Sequence, residues 1–212
     1  MAFRGWLFEA IVVGASVAIL VIYHWRFWSK TRAGPDSTAT GRHRLARAAW
    51  IRAMRDGRNQ LVVVQTLRNW IMASTFLAST AIFFALGLLG AAFTTDKLSS
   101  FAHELNFLGS EDQQLWLFKA LLLIVNFLAA FFNFSLAVRS FIHASFAVET
   151  RETPDKGPGT QVDGRELERG AVHYTLGMRA FYMSIPLSLW LFGPFWMFVG
   201  AVGLVVILSR VD

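Results

Sequence analysis

A row of polar residues at seven-residue spacing is the first feature of this sequence that could do chemistry. The row lies in a strongly apolar stretch and consists of Lys119, Asn126, Asn133 and Ser140. On a helix these positions share one face, apart from a drift of about 20° per seven residues. Polar side chains in a membrane helix face a bundle interior or a water-filled path. The row therefore predicts either hydrogen bonds between helices, worth about 0.6–2 kcal/mol each, or a conduction path, and Lys119 could pair with Glu9 or with an outer-loop carboxylate.

A second polar stripe opens the segment QTLRNWIMASTFLASTAIFF. The stripe consists of polar residues that lie on or next to one face of the helix, namely Gln65, Arg68, Asn69, Thr75 and Ser79. Because about 23 residues at about 1.5 Å each cross the hydrocarbon, Trp70 to Phe93 suffices, and the first three positions fall at the inner interface. Two interpretations remain open. Either Arg68 extends to lipid phosphate, or the stripe lines a pore.

Arginines provide a third group with possible chemistry. Arg68, Arg139 and Arg179 mark the inner ends of three predicted spans, where they are either separate interfacial anchors or a converging site for anions or lipid headgroups. The segment RHRLARAAWIRAMRDGR adds a basic helical face made of Arg44, Arg47, Arg52, Arg55 and Arg58. We expect this amphipathic helix to lie at the cytoplasmic surface, where each arginine attracts anionic lipid by about 1 kcal/mol.

Catalytic and metal-binding patterns are weak. His24, His143 and His173 fall at similar predicted depth and could ligate a metal or haem, but the chain has no HExxH motif and no helical histidine pair. There is no Cys, no phosphate-binding glycine loop, no GxSxG and no close acid pair within a span. We expect no enzyme activity, no cofactor and no metal.

The elements that position these residues follow from the apolar runs. Hydrophobic residues make up 55% of the 212 positions, and charged residues 16% against about 25% in soluble domains. The pattern predicts an all-α integral membrane four-helix bundle, forming a single transmembrane domain over 1–212. The predicted spans are about 6–24, 65–93, 115–141 and 176–208, with Pro186 and Pro194 kinking the last.

Basic residues concentrate in the loops at 25–64 and 142–175, whereas the loop at 94–114 is mildly acidic. The positive-inside rule makes both basic loops cytoplasmic and places both termini outside. The amphipathic arginine helix then precedes the second span, and the second basic loop is expected to be a connector with a short helix near Arg165 to Arg169. The location expected is a bacterial inner membrane.

The segments YHWRFW, QTLRNWIMASTFLASTAI and NFLAAFFNFSLAVRSF resemble a known family. It is the domain-of-unknown-function 599 family of small four-helix integral membrane proteins found in bacteria and plants. The resemblance covers most of the chain apart from its loops. It implies an integral membrane protein with no established activity, and it assigns no role to individual residues.

Two functions are consistent with these features. The first is a homo-oligomeric channel or transport-type protein, with the two polar stripes lining its pore and a basic cytoplasmic mouth. The alternative is a structural or accessory membrane protein that binds anionic lipid or a larger membrane complex. The expected partners are membrane lipids, through anionic headgroups on the cytoplasmic side, and further copies of the chain, but not nucleic acid.

Overall fold

The described part of the chain is helical almost throughout. A computed structural model describes residues 2–33, 41–43, 45–47, 49–50, 60–94, 113–149 and 164–211, and all of these are helical except Leu191, Phe192 and Gly193. The helices are α1 (Ala2–Ala33), α2 (the helical residues at 41–43, 45–47 and 49–50), α3 (Gln60–Thr94), α4 (Gln113–Glu149), α5 (Gly164–Trp190) and α6 (Pro194–Val211). The all-α prediction is confirmed for these residues.

Three of the described helices are long and apolar enough to cross a membrane. Their apolar spans are Trp6–Lys30, Leu61–Ala92 and Gln114–Phe146, and α6 adds the shorter apolar helix Pro194–Arg210. The two longest spans have 32 and 33 residues, which exceeds the roughly 20 that a helix needs to cross the hydrocarbon. These helices indicate a membrane protein.

The predicted fourth span is two helices, so the predicted count of four is not matched. α5 ends at Trp190 and α6 begins at Pro194, with Gly193 between them at a φ of 137°. Only glycine adopts that conformation without steric cost, and proline is well placed in the first turn of a new helix because it has no N–H to leave unpaired. The reversal is closed by a hydrogen bond from the Gly193 N–H to the Trp190 carbonyl at 3.1 Å. Pro186 lies inside α5, where the sequence predicted a kink.

The chain divides into two packed units, of which the first comprises residues 1–42, 83–127 and 181–212. In this unit α1 packs against α6. Their shared core contains Leu20, Leu204 and Leu208, with Tyr182 of α5 against it. Because Tyr182 precedes the turn at 191–193 and Leu204 follows it, α5 and α6 form an antiparallel hairpin.

The second unit comprises residues 43–82 and 128–180. Helices α3, α4 and α5 share an apolar cluster here, and Trp50 of α2 packs against it. The cluster is Val63, Leu67, Ala137, Phe141, Ala144 and Leu167. α5 approaches α4 closely at Gly170, since a Cβ there would come within 2.5 Å of the Phe141 ring. Only glycine allows Phe141 to keep this position.

The two predicted cytoplasmic loops are partly helical. α4 continues to Glu149 and α5 begins at Gly164, with an Arg169 to Glu166 ion pair at 2.5 Å in its first turns. The helix expected near Arg165 is thus the start of a 27-residue helix. The described residues in the first part of the predicted interfacial helix are helical and form α2, and residues 51–59 lie outside the described part of the chain.

Candidate functional site

The seven-residue row of α4 is turned toward the protein. Lys119 and Ser140 are buried, and Asn126 and Asn133 are half-buried. The neighbouring positions on that side are apolar and fully buried, as at Ala130. Two members of the row, Lys119 and Asn133, contact side chains of other helices.

Lys119 forms a buried ion pair with Glu9 of α1. The lysine is 3% exposed and the glutamate 4%. Trp190, at the end of α5, donates its indole N–H to Glu9 Oε1 at 3.3 Å, and its ring centroid lies 5.3 Å from Lys119 Nζ, within the range of a cation–π contact. Of the two partners predicted for Lys119, the structure shows Glu9.

This ion-pair cluster, defined as Glu9, Lys119 and Trp190, joins three helices of the first unit. Removing a carboxylate and an ammonium from water costs several kcal/mol per ion, and their attraction repays this only where further contacts satisfy both groups. The indole N–H supplies such a contact to the carboxylate, and the indole ring supplies one to the ammonium. The cluster therefore links α1 to α4 and α5 through contacts that satisfy both charged groups.

A second polar contact joins α4 to α5 in the other unit. Asn133 donates from Nδ2 to the Ala129 carbonyl at 2.8 Å, and its Oδ1 lies 3.2 Å from Nδ1 of His173. Nδ1 donates to that oxygen when the imidazole carries its proton there. The sequence placed Asn133 in the polar row and His173 in a possible metal site, and the structure joins the two instead.

The other two predicted histidines occupy different surroundings. Nδ1 of His24 lies 2.8 Å from the Leu20 carbonyl on its own helix, and His143 is exposed. Within the described ranges, no three His, Asp or Glu side chains are grouped so that they could hold a metal ion.

The α3 stripe lies on the exposed side of α3, away from the apolar cluster of the second unit. All five of its members are exposed: Gln65, Arg68, Asn69, Thr75 and Ser79. The Thr75 hydroxyl donates to the Ile71 carbonyl at 2.8 Å, so it is satisfied within the helix. The buried face of α3 includes Leu67 and Ser74 instead. Because Asn133 and Ser140 of α4 are turned inward, the two polar rows do not face each other in this unit.

The predicted arginines differ in environment. Arg68 and Arg139 are exposed, and Arg179 is half-buried. Arg47 is half-buried, and its Nε lies 3.5 Å from Oε2 of Glu168 on α5. Arg44, Arg55 and Arg58 lie outside the residues whose side chains are described.

A cavity of about 520 Å³ lies within the second unit, where α2, α3, α4 and α5 meet. Its wall is largely aromatic and aliphatic, with a cationic end supplied by α2. The lining residues are His43, Ala46, Arg47, Trp50, Thr66, Trp70, Ala73, Phe141, Ala171 and Tyr174. Its volume falls within the roughly 300–1,000 Å³ of pockets that hold small ligands.

Sequence reasoning missed both the aromatic wall and the role of Trp190. Trp70, Phe141 and Tyr174 come from three helices, and a helical period shows which residues share a face but not which faces meet. One signal was available: Gly170 is a place where a neighbouring ring can approach α5 closely. Trp190 stands just before the Gly193–Pro194 pair, so recognising the turn would have placed it at a helix end.

A family model described as "Protein of unknown function, DUF599" matches residues 11–212. The chain belongs to the DUF599 family. The resemblance predicted from the sequence is therefore confirmed. The DUF599 match includes Lys119, Trp190 and every residue that lines the cavity, whereas Glu9 precedes it. No curated protein matches the chain, and no solved structure does.

Proposed function

We propose that this DUF599 protein binds anionic lipid at the cytoplasmic side of its membrane, in a structural or accessory role. The observation that carries the proposal is the docking of the basic helix α2 on the second unit. Trp50 packs against the apolar cluster, and Arg47 pairs with Glu168. A basic helix held there presents cationic groups next to the inner ends of two spans, where lipid headgroups lie.

We also propose that the N-terminus is outside and the C-terminus inside. The basic loops put the start of α1 outside by the positive-inside rule. Trp190 contacts Glu9, so the turn from α5 to α6 lies at the same end of the first unit as the start of α1. Leu204 and Leu208 then pack with Leu20, so α6 runs in the same direction as α1. If α6 crosses the membrane, the C-terminus lies on the cytoplasmic side. This proposal replaces the expectation from the sequence that both termini are outside.

The lipid proposal predicts that anionic phospholipid accompanies the protein out of the membrane. The protein would be extracted with its surrounding lipid into polymer-bounded discs, and the ratio of anionic to zwitterionic phospholipid compared with that of the whole membrane. We expect enrichment of anionic lipid that falls with salt, and a smaller enrichment in an Arg44→Gln/Arg55→Gln/Arg58→Gln variant, because each arginine near the surface contributes about 1 kcal/mol.

The matched control is an Arg4→Gln/Lys97→Gln variant, which removes positive charge from the predicted outer side. It should retain the enrichment of the wild type. A lipid ratio equal to that of the whole membrane, in the wild type at low salt, would reject the proposal.

A homo-oligomeric channel is the second candidate, and the exposed polar stripe of α3 favours it. A stripe that faces away from its own chain can line a water-filled path only between copies. The candidate predicts that the reconstituted wild type conducts chloride, potassium or protons in proteoliposomes, and that Arg68→Ala abolishes this flux. Phe76→Ala, a substitution at another exposed position of α3, should leave the flux unchanged. The absence of wild-type flux for all three ions would remove this candidate.

A further inference from the structure

We propose that the aromatic cavity of the second unit holds one anionic phospholipid, with the phosphate at Arg47 and an acyl chain against the aromatic wall. This inference rests on the proposed lipid-binding function and assigns it a defined site. Its ligand-binding residues are Arg47, His43, Trp70, Phe141 and Tyr174.

The polar end of the cavity contains Arg47, whose guanidinium has an N–H group available to donate a hydrogen bond. The Nε atom of Arg47 is buried and has no hydrogen-bond partner, since its carboxylate neighbour Glu168 lies 3.5 Å away. A guanidinium has five N–H donors in a planar fork that matches two oxygens of a phosphate. His43, also on the cavity wall, can donate a further ring N–H. This end of the cavity therefore fits an anion with several acceptor oxygens.

The remaining wall favours an apolar chain. It includes Trp70, Phe141 and Tyr174, and Trp70 and Phe141 contact each other edge to face with centroids 5.1 Å apart. These side chains are anchored, because Phe141 is 1% exposed and belongs to the apolar cluster. A small hydrophilic anion would leave this surface without a partner, whereas an acyl chain covers it.

The depth of the cavity suits a lipid. Thr66, Trp70 and Ala73 lie in the first half of the span Leu61–Ala92, and Phe141 lies near the end of the span Gln114–Phe146. A cation placed beside an apolar wall at the end of two spans corresponds to the boundary between headgroups and acyl chains. This position favours a phospholipid over free phosphate as the ligand, and the experiment below distinguishes the two.

Glu168 competes for the same cation. Its carboxylate pairs with Arg47, and both side chains retain some exposure, at 32% for the glutamate and 21% for the arginine. A phosphate that binds Arg47 has to share or displace this carboxylate. Neutralising Glu168 should therefore tighten lipid binding.

The test titrates the purified full-length protein in detergent with phosphatidylglycerol or with phosphatidylcholine of the same acyl chains, and counts bound lipid by native mass spectrometry. We expect one phosphatidylglycerol per chain, about tenfold weaker binding in Arg47→Gln, and binding about two- to fivefold tighter in Glu168→Gln. Glu166→Gln is the matched control, since Glu166 pairs with Arg169 and does not line the cavity. It should bind as the wild type does.

The remaining outcomes overturn the inference. Equal binding by wild type, Arg47→Gln and Glu168→Gln would show that this cavity is not the lipid site. Displacement of the lipid by inorganic phosphate at equal concentration would assign the site to a free anion. The Glu168→Gln gain keeps the test valid if Arg47→Gln fails to fold. If the discs are enriched in anionic lipid but the mass spectrum shows no one-to-one complex, only this site is rejected. If neither the enrichment nor the complex is observed, the proposed function is rejected as well.

Discussion

Replacing Lys119 with methionine is expected to lower the free energy of unfolding by about 3–5 kcal/mol, because it leaves the carboxylate of Glu9 buried without its counter-charge. Replacing Glu9 with leucine should cost a similar amount for the converse reason. The measurement is the unfolding of the purified protein by denaturant in mixed micelles, followed by far-UV circular dichroism.

The double variant Glu9→Leu/Lys119→Met distinguishes a coupled pair from two independent sites. An apolar replacement of both partners is often neutral or stabilising, so most of the loss should be recovered. The recovery should be incomplete, because the Trp190 indole N–H loses its acceptor, at a cost of about 1–3 kcal/mol. Arg139→Met, which removes an exposed cation from the same helix, should change stability by less than about 0.5 kcal/mol. Additive losses in the double variant would contradict the account of the pair.

The proposed cytoplasmic position of the C-terminus predicts an all-or-none labelling result. The chain has no Cys, so single cysteines can be introduced without background. In intact cells, a membrane-impermeant maleimide should label Lys97→Cys in the predicted outer loop and leave Asp212→Cys unlabelled. The physical reason is the α5–α6 hairpin, since in the proposed topology α6 crosses back over the membrane after the turn at Gly193.

Lys156→Cys, in the second basic loop, provides the cytoplasmic reference. Like Asp212→Cys, it should be labelled only after the membrane is permeabilised. Labelling of Asp212→Cys in intact cells to the same extent as Lys97→Cys would show that both termini lie outside, as a single fourth span requires.

The spans of α1, α3 and α4 could be predicted from the sequence because crossing hydrocarbon demands a long apolar run, and such runs are visible without knowledge of contacts. The seven-residue row on α4 was informative for a related reason. A charged residue on that helix has to find a partner inside the protein, and the only carboxylate within the first predicted span was Glu9.

The division of the fourth span was hidden by the apolar residues on both sides of the turn. The run LWLFGPFWMF stays hydrophobic through the reversal, so hydropathy does not mark it. Pro194, which follows Gly193, was interpreted as a kink because proline is tolerated within membrane helices. A positive φ at Gly193, which depends on how α5 and α6 pack, turns the same two residues into the end of one helix and the start of another.

The cavity could not be predicted because it depends on which helices are neighbours. The amphipathic pattern predicted a helix at the cytoplasmic surface, but not the apolar cluster of the second unit against which its Trp50 packs. The pairing of Arg47 with Glu168 connects residues 121 positions apart in the sequence. No local pattern encodes that contact.

The proposed selection of anionic lipid by this membrane protein can be tested with a native mass spectrum. The wild-type protein would be released gently from a bilayer that contains equal amounts of anionic and zwitterionic phospholipid. We expect a species that carries one anionic phospholipid per chain. Lipid-free protein, or bound lipid in the proportions of the bilayer, would contradict it.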